Sequence, residues 1–363
     1  MDFQISTSSL VSLLSHAADI ASDKSTMPIL SCALLTAEVT PEGGRLSVKT
    51  YDLELGVSLA SSCEIKKAGQ IALPAKKLLE VAKAMPSPVT RIKLAANNRV
   101  ELTGGSASFR LAGQVADDFP TMPEAEDEHY LPTAGLSDAL SKVAFAMSHD
   151  ETRYNLNGVL FDLPAGKLVA TDGHRMAMSL MEESGLHTAV IVSKKAVAKL
   201  RKLLGAEGES KGEFAISKTS LLYRRAGLNL VARLIDGSFP DYTQVVPARS
   251  DAPVVAERAT LRDALGRVML LSSDKASAVG LSFEEGKLTL TARNPEEGDA
   301  TDTVPLTGNA ALKINVNGQY LMDMLNATGA DRVEIHLGDE MSPVLVSPEG
   351  DLTHTYVLMP MRG

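Results

Sequence analysis

Apolar residues recur at helical spacing in six segments of this chain. Three leucine-led segments begin at Leu10, Leu136 and Leu261, at nearly equal intervals, and two of them, LSDALSKV and LRDALGRV, are close to identical. A second segment of helical spacing follows each of them, at 74–84, 193–204 and 317–327. The pattern predicts three copies of one plan, each containing two amphipathic helices.

The starts of the second helices are marked by residues that suit the first helical turn. Pro74 fits a helix start because its fixed φ is already helical, whereas Ser193 and Asn317 have side chains that can accept a hydrogen bond from the first turn. Such residues support a helix in all three copies.

Alternating apolar and polar residues between the helices predict antiparallel hairpins. After each first helix come an apolar run, a turn that contains glycine, and a second run, at 29–37 and 45–49, 158–162 and 167–170, and 279–283 and 287–291. Three further runs follow the second helix of the first copy, at 91–94, 99–103 and 106–111. We therefore expect an α+β chain of three similar domains, each with two helices packed on antiparallel sheets, at 1–129, 130–251 and 252–363.

Two strings stand out within this plan. The segment 167–180, KLVATDGHRMAMSL, predicts a strand, a tight turn at Asp172-Gly173 and a returning strand, with His174 and Arg175 at the bend. The chain closes with YVLMPMR at 356–362. Together the two strings resemble the bacterial sliding clamps, the beta subunits of the replicative DNA polymerase III, and the resemblance extends over essentially the whole chain.

The resemblance implies the DNA clamp fold, in which two three-domain chains close head to tail into a homodimeric ring. It implies a processivity factor that encircles duplex DNA without reading its sequence and tethers the replicative polymerase through a peptide-binding pocket. It also implies a clamp loader, other polymerases and repair proteins as partners, a cytoplasmic location, and no catalysis by the clamp itself.

The resemblance assigns the pocket to two distant parts of the chain, and Leu, Val and Met side chains suit an adaptable apolar groove. The implied residues are Leu156, Thr171, Gly173, His174, Arg175, Met176, Pro240, Val245, Val344, Val357, Leu358, Met359, Pro360, Met361 and Arg362. We expect His174 and Arg175 to form its polar rim and the VLMPM string to be exposed. Gln244 stands where well-known relatives have arginine, so partner preference should differ there.

The net charge of −9 argues against nucleic acid, but the local charge does not. The predicted helix at 193–204, SKKAVAKLRKLL, has five cationic residues and no acid, and the helix at 74–84 has three lysines against one glutamate. Such faces suit phosphate backbones, which predicts DNA contacts from Lys76, Lys77, Lys194, Lys195 and Lys202. The resemblance adds Lys24, in the loop after the first helix, and Arg153 and Tyr154, in the loop at 149–155. In that second loop Asp150 and Asn155 differ from the residues of well-known relatives.

The third copy weakens this charge argument. Its second predicted helix, at 317–327, has no basic residue and a single acid, Asp323. The first helix of the same copy supplies Arg262 and Arg267 instead. We therefore expect the positive charge of the third copy to come from these two arginines.

The third predicted surface is the contact between the two chains of the ring. We expect Leu270 and Leu271, at the end of a helix in the third domain, to pack against Phe109 and Leu111 on the edge of the first domain. Ser106 and Ser108 stand where relatives add arginines, so few ion pairs are expected across this interface.

An enzyme is disfavoured because the chain lacks nucleotide-binding, zinc-protease and serine-hydrolase motifs, and its seven histidines lie far apart. We expect no cofactor and no metal. Two separate cysteines, no signal-like N-terminus and no long apolar run predict a protein of the reducing cytoplasm. Two alternatives stay open at this point: a monomeric peptide-binding scaffold without a DNA role, and a metal-dependent hydrolase that uses scattered Asp and His.

Overall fold

The computed structural model describes residues 1–22, 25–123, 129–182, 185–205, 212–272 and 277–361. Its helices, numbered in chain order, are α1 (Thr7–Ala18), α2 (Ala75–Lys83), α3 (Leu136–Val143), α4 (Lys194–Gly205), α5 (Arg258–Met269) and α6 (Gly318–Ala327). All six predicted helices are thereby confirmed. They pack in consecutive pairs, α1 with α2, α3 with α4 and α5 with α6, as the repeated plan requires.

The helix starts follow local chemistry. Ser193 accepts a hydrogen bond at its Oγ from the backbone N–H of Ala196, and Asn317 accepts one at its Oδ1 from that of Tyr320. Ser6 does the same for Ser9 at the start of α1. Each bond satisfies an amide that the helix cannot pair internally.

Twenty-five strands connect these helices in the described part of the chain. In the first third they are β1 (Asp2–Ser6), β2 (Cys32–Thr40), β3 (Gly43–Tyr51), β4 (Leu55–Ser62), β5 (Glu64–Lys67), β6 (Gly69–Pro74), β7 (Val89–Leu94), β8 (Arg99–Gly104), β9 (Ala107–Ala112) and β10 (Leu131–Pro132). In the middle they are β11 (Gly158–Asp162), β12 (Lys167–Thr171), β13 (Arg175–Leu180), β14 (Ala189–Ser193), β15 (Glu213–Ile216), β16 (Ser220–Arg225) and β17 (Leu228–Ile235). The remainder are β18 (Val254–Glu257), β19 (Ala278–Glu284), β20 (Lys287–Asn294), β21 (Gly298–Pro305), β22 (Leu312–Asn317), β23 (Arg332–His336), β24 (Val344–Pro348) and β25 (His354–Leu358).

The first predicted strand is displaced. The expected strand at 29–37 begins with a 3-10 turn, Pro28–Ser31, and extended backbone starts only at Cys32. Ile29 and Leu30 are buried in a small cluster with Cys32, so apolar character there reflects packing and not a strand. Proline at the first position suits the turn, because it needs no N–H there.

The chain folds into two compact units. The first comprises Met1–Thr133 and Ser210–Leu234. It holds α1 and α2, a sheet of order β5-β1-β7-β8-β9, and a sheet in which β10, β15, β16, β17, β4, β3, β2 and β6 follow one another, all antiparallel. Its core is largely aliphatic, with Leu10, Leu14, Leu35 and Leu46 fully buried beside the aromatic Phe3.

The second unit comprises Ala134–Glu209 and Ile235–Gly363. It holds α3 to α6, a sheet of order β18-β23-β24-β25-β13-β12-β11-β14, and a four-stranded sheet of order β21-β20-β19-β22. Strand β13 is the point where the second repeat meets the third, because β12 pairs with one of its edges and the C-terminal strand β25 with the other. The candidate site is built around this strand.

Candidate functional site

The turn between β12 and β13 is held by its own side chains. Asp172 accepts hydrogen bonds at Oδ1 from the backbone N–H groups of His174 (2.9 Å) and Arg175 (3.0 Å). The Thr171 hydroxyl donates to the Arg175 carbonyl (2.7 Å) and accepts from the Gly173 N–H (3.1 Å). Gly173 has φ +88°, which residues with a Cβ rarely adopt. The turn is therefore a preorganised structure and not a mobile loop.

Arg175 is buried beneath this turn, so the prediction that it forms part of an exposed rim is wrong. Only 8% of its surface is exposed. Its guanidinium pairs with Asp172 (3.0 Å) and with Asp323 of α6, and it donates to the Phe145 carbonyl (2.8 Å). Its carbon centre also lies 4.3 Å from the Tyr320 ring centroid. With two carboxylates and a carbonyl as partners, this charge is stabilised in the interior and positions the turn.

The sequence did not reveal the partners of Arg175. Asp323 is the one acid on α6, the helix whose lack of basic residues weakened the charge argument for the third copy. The structure gives this acid a different role, because it neutralises the buried arginine of the preceding repeat. Burial and the neighbouring Asp172 raise the pKa of Tyr320, whose ring lies beside the guanidinium. No local sequence signal links positions so far apart.

The C-terminal string is paired with the turn strand. Met176 lies opposite Val357 and Arg175 opposite Leu358, and the Met359 N–H donates to the His174 carbonyl at 2.9 Å. Val344 of β24 lies opposite Leu358 on the other edge of β25. The two strings that carry the family resemblance are therefore hydrogen-bonded neighbours.

This pairing corrects the expected exposure of the tail. Val357 and Leu358 are 2% and 1% exposed, because β25 is an inner strand of the sheet. The tail leaves the sheet after Met359, and the Met361 N–H donates to the Asn315 carbonyl of β22 at 2.7 Å. The surface available to a ligand is thus the sheet face with the Met359–Met361 segment, and not a groove between the turn and the whole tail.

An apolar cluster lies under this face. Its buried members are Met176, Val357, Leu160, Val169, Ile191 and Tyr242, with Met178, Ile235, Phe239 and Val246 partly buried against them. Tyr242 donates its hydroxyl to Asp162 at 2.7 Å, which holds the following segment over the sheet. Val245 of that segment is 48% exposed and Pro240 is exposed, so both present apolar atoms to solvent. The arrangement suits apolar side chains of a ligand.

A second feature at the end of the tail is a cavity of about 610 Å³. Met361 and Asn315 line it together with Met341, Lys313 and Ser282. Among the predicted pocket residues that the structure describes, only Met361 borders this cavity. Two methionines beside polar side chains could accommodate an irregular side chain.

The segment Glu151–Leu156 brings further predicted residues to the turn. Leu156, at its end, is buried, and Arg153 donates from Nη1 to the Asp172 carbonyl at 3.3 Å. Asn155 donates to the Ser238 carbonyl at 2.9 Å, while Tyr154 is 58% exposed. Hydrogen bonds from Thr152 keep the pKa of Asp150 low, so this acid faces Arg153 as a carboxylate.

Two predicted site residues lie outside the described part of the chain, Arg362 of the pocket and Lys24 of the DNA surface. Of the other predicted pocket residues, Arg175 and Met176 of β13 and Val344 of β24 pair with β25, and Met359 is hydrogen-bonded to His174. Met359 is exposed, and Pro360 and Met361 after it are half-buried in the departing tail.

The basic helix α4 presents only some of its charges to solvent. Lys195, Arg201 and Lys202 are exposed, whereas Lys199 is buried and does not contribute to the exposed face. Lys194 is half-buried, and its Nζ lies 2.6 Å from Nδ1 of His149. Although Lys195 is exposed overall, partial desolvation by its neighbours lowers its pKa.

The exposed charges of α2 are partly neutralised. Lys76, Lys77 and Lys83 are exposed, and Lys77 forms an ion pair with Glu80 one turn later.

On α5, Arg262 pairs with Asp263 and Arg267 with Asp302. The two arginines expected to supply the positive charge of the third copy are therefore each paired with an acid.

The four residues predicted for the interface between chains lie in places open to solvent. Phe109 and Leu111 alternate on one face of β9, an edge strand of its sheet, and both are half-buried. Leu270 follows α5 directly and is 78% exposed, while Leu271 is half-buried.

Among the residues that the structure describes, no three His, Cys, Asp or Glu side chains converge on a possible metal position. The helices among those residues are too short or too polar to cross a bilayer.

Comparison with known proteins covers the entire chain. Residues 1–123, 130–241 and 243–362 match, in order, the families described as the N-terminal, central and C-terminal domains of the DNA polymerase III beta subunit. The beta sliding clamps of Proteus mirabilis and Pseudomonas aeruginosa are 33% and 32% identical, with complete coverage of both chains. A crystal structure of the DNA polymerase III subunit beta from Pseudomonas aeruginosa superposes with a TM-score of 0.93 at 31% identity, again over both chains.

Proposed function

Since this chain belongs to the DNA polymerase III beta subunit family, the sliding clamps, we propose that the face over β13 and β25 is where partner proteins attach to it. The family is a non-catalytic processivity factor of DNA replication, built from three clamp domains per chain.

The observation that carries the proposal is a rigid turn beside an apolar face. The 171–175 turn is held by its own hydrogen bonds and by the buried Arg175 cluster. Beside it, Val245, Pro240 and Met359 expose apolar atoms. A rigid surface loses little entropy on binding, so short peptides can bind through a few anchors.

The expected ligand is a short segment of a partner with a glutamine and spaced Leu or Phe anchors. Two or three anchors are worth roughly 1.5–3 kcal/mol apiece, and ordering the segment offsets part of this gain. The net affinity should be near micromolar, about −8 kcal/mol, which lets partners exchange. The replicative polymerase, the clamp loader, other polymerases and repair proteins would then compete for one site.

The test is the fluorescence anisotropy of a labelled peptide of this type. Deleting residues 359–363 should abolish its binding, because the tail borders the site, while the sedimentation coefficient of the chain stays unchanged. Unchanged peptide affinity after the deletion would place the partner site elsewhere. A solved relative from Pseudomonas aeruginosa is bound to griselimycin, so a clamp of this family accepts a ligand other than DNA.

We further propose that the ring is a head-to-tail homodimer in which Leu270 and Leu271 of one chain pack on Phe109 and Leu111 of its partner. The exposed Leu270 and the open edge of β9 support this pairing. Each buried side chain contributes roughly 1.5–3 kcal/mol before the cost of association. Replacing both leucines by alanine should give a monomer of 38.5 kDa in sedimentation equilibrium, whereas an unchanged dimer would refute the assignment. A wild-type monomer would favour the scaffold alternative.

For DNA we propose phosphate contacts from Lys76, Lys77, Lys194, Lys195 and Lys202, with Lys24, Arg153 and Tyr154 as lesser contributors. Contacts of this kind are independent of sequence, which a protein that slides requires. We also propose domain boundaries after residues 129 and 251, and a cytoplasmic location.

A further inference from the structure

A second cavity lies on the same sheet face as the proposed peptide site. It measures about 240 Å³ and is lined by Lys167, Met178, Leu180, Val246, Arg249 and Thr355, among others. Met178 is two residues beyond Met176 on β13, and Thr355 two residues before Val357 on β25, so the cavity and the peptide site share one face. Val246, which lines the cavity, also packs on the apolar cluster under the peptide site.

Arg249 lies across this face without an acidic partner. It donates from Nη2 to Thr355 Oγ1 (3.0 Å) and from Nη1 to Ser347 Oγ (3.3 Å). Within the described residues, no carboxylate forms an ion pair with it. A guanidinium offers five donors, so its anchoring to two hydroxyls leaves donors and the full charge for a ligand.

Lys167 contributes a second cation. It lies opposite Leu180 in the register of β12 and β13, so both side chains are on the cavity face. Its other cross-strand neighbour is Asp162, whose oxygens accept from the Tyr242 hydroxyl (2.7 Å) and the Ala165 N–H (3.3 Å). Asp162 moderates the local potential, but among the described residues it forms no ion pair with Lys167.

The rest of the lining is mixed, with apolar Met178, Leu180, Val246, Pro247, Leu345 and Leu352 and polar Ser179, Thr353, His354 and Thr355. Leu180 and Leu352 are exposed at the rim, and Val246 and Pro247 form the wall on the side of the peptide site. The cations of Arg249 and Lys167 would attract an anionic group, and the apolar rim would contact the apolar or extended chain to which that group is attached. Bulk water and a bare inorganic anion would leave the exposed leucines uncovered.

We propose that this cavity binds an acidic side chain in the residues that flank the anchor motif of a partner peptide. The inference rests on the proposed peptide site, because the two are continuous over one sheet face. An Asp or Glu of the flank would accept hydrogen bonds from Arg249 and neutralise Lys167, while a neighbouring apolar residue covers Leu180 or Leu352. The clamp would then discriminate between partners by their flanks as well as by their anchors.

The experiment uses the full-length chain and labelled peptides with a Gln and Leu/Phe anchor motif. Each peptide carries either Asp-Asp or Asn-Asn, at either end, after a spacer of zero to four glycines. For at least one choice of peptide end and spacer length, the acidic peptide should bind about fivefold to tenfold more tightly than its amide counterpart at low salt. The difference should decrease as salt screens the charges.

The preference for acid should vanish in Lys167→Gln combined with Arg249→Gln, and reverse in Lys167→Glu. The Lys167 variants keep the test valid if replacing Arg249 impairs folding, since Lys167 has no bond to lose among the described residues. Lys66→Gln, which removes an equal exposed charge from β5 of the first unit, should retain the preference.

Two results would overturn the inference alone: equal affinities of acidic and amide peptides for the wild type at every spacer, or an acid preference that persists in the double variant. Equal weakening of both peptides by Arg249→Gln would show a structural role and would also overturn it. Failure of both peptides to bind the wild type would instead overturn the proposed peptide site, and this inference with it.

Discussion

The 171–175 turn and the exposed face of α4 both depend on positive charge, but they hold it in opposite environments. At the turn, Arg175 is buried and neutralised by Asp172 and Asp323. On α4, Lys195 and Lys202 are exposed and carry no acid on their own helix. A buried paired charge determines shape, whereas an exposed charge attracts ions from solution.

This difference predicts which property each region loses when a charge is removed. Loss of a buried partner leaves the other buried charges unpaired, so the free energy of unfolding decreases. Loss of a surface charge changes a long-range attraction that salt already screens, so the cost appears in binding and in its salt dependence.

The largest effect is expected from Arg175→Ala. It leaves Asp172 and Asp323 without their cationic partner. Breaking a buried ion pair by removing one partner typically costs about 3–5 kcal/mol. Urea unfolding should show this loss in the free energy of unfolding. Arg262→Ala, which breaks the half-exposed pair with Asp263, should cost less than about 1 kcal/mol. Equal losses in the two variants would contradict the assigned role of Arg175.

Charge reversal on α4 should have the next largest effect, and it should leave the fold intact. Replacing Lys194, Lys195 and Lys202 by Glu removes up to three phosphate contacts. Each contact contributes about 0.9 to the log–log salt slope, so the loss of affinity between about 50 and 200 mM salt should shrink by a factor of about 40.

The measurement for α4 is retention on nicked circular DNA across a salt series. The matched control reverses three exposed lysines on the strands β5 and β7, Lys66, Lys67 and Lys93. We expect that control to keep the wild-type slope. Identical slopes in the α4 variant and the wild type would remove this helix from the DNA surface.

Gly173→Ala should destabilise the chain to a smaller extent. A left-handed backbone costs about 1–2 kcal/mol for a residue with a Cβ, and the new atom would lie 2.9 Å from Nη1 of Arg153. Gly286 also has positive φ, at +72°, but has open space around it. Gly286→Ala should therefore lose only the backbone contribution and keep full peptide affinity, whereas Gly173→Ala should lose affinity as well.

The smallest effect is expected from His174→Ala. The side chain is exposed at the turn, and within the described residues it forms no hydrogen bond or ion pair. Peptide affinity should fall less than about fivefold, because a rim contact of this kind is worth less than about 1 kcal/mol. Anisotropy titration measures it, and an effect as large as the tail deletion would make His174 an anchor instead.

Much of the fold could be predicted because it is repeated and local. The helix periodicity, the caps at Ser193 and Asn317 and the hairpin turns are each specified by residues close together in the chain, and the structure confirms them. The strand expected at 29–37 shows the limit of this approach. Apolar composition indicated burial correctly, but the backbone there follows proline geometry.

The sequence alone determined the threefold plan, the turn at Asp172-Gly173, and the two strings that mark the family. These depend on short-range chemistry or on self-similarity, which a single chain displays directly. The sequence also indicated that α4 is basic, but not that Lys199 is buried, because the orientation of a helix depends on what it packs against.

Only the tertiary structure decided how the candidate site is assembled. It paired β13 with β25, which buried Val357 and Leu358, and it brought Asp323 to Arg175 across 148 positions of sequence. It also placed Arg249 and Lys167 in one cavity. Such pairings are selected by the free energy of the whole packed unit, in which buried charges must find partners and apolar faces must be covered, and no local pattern encodes that selection.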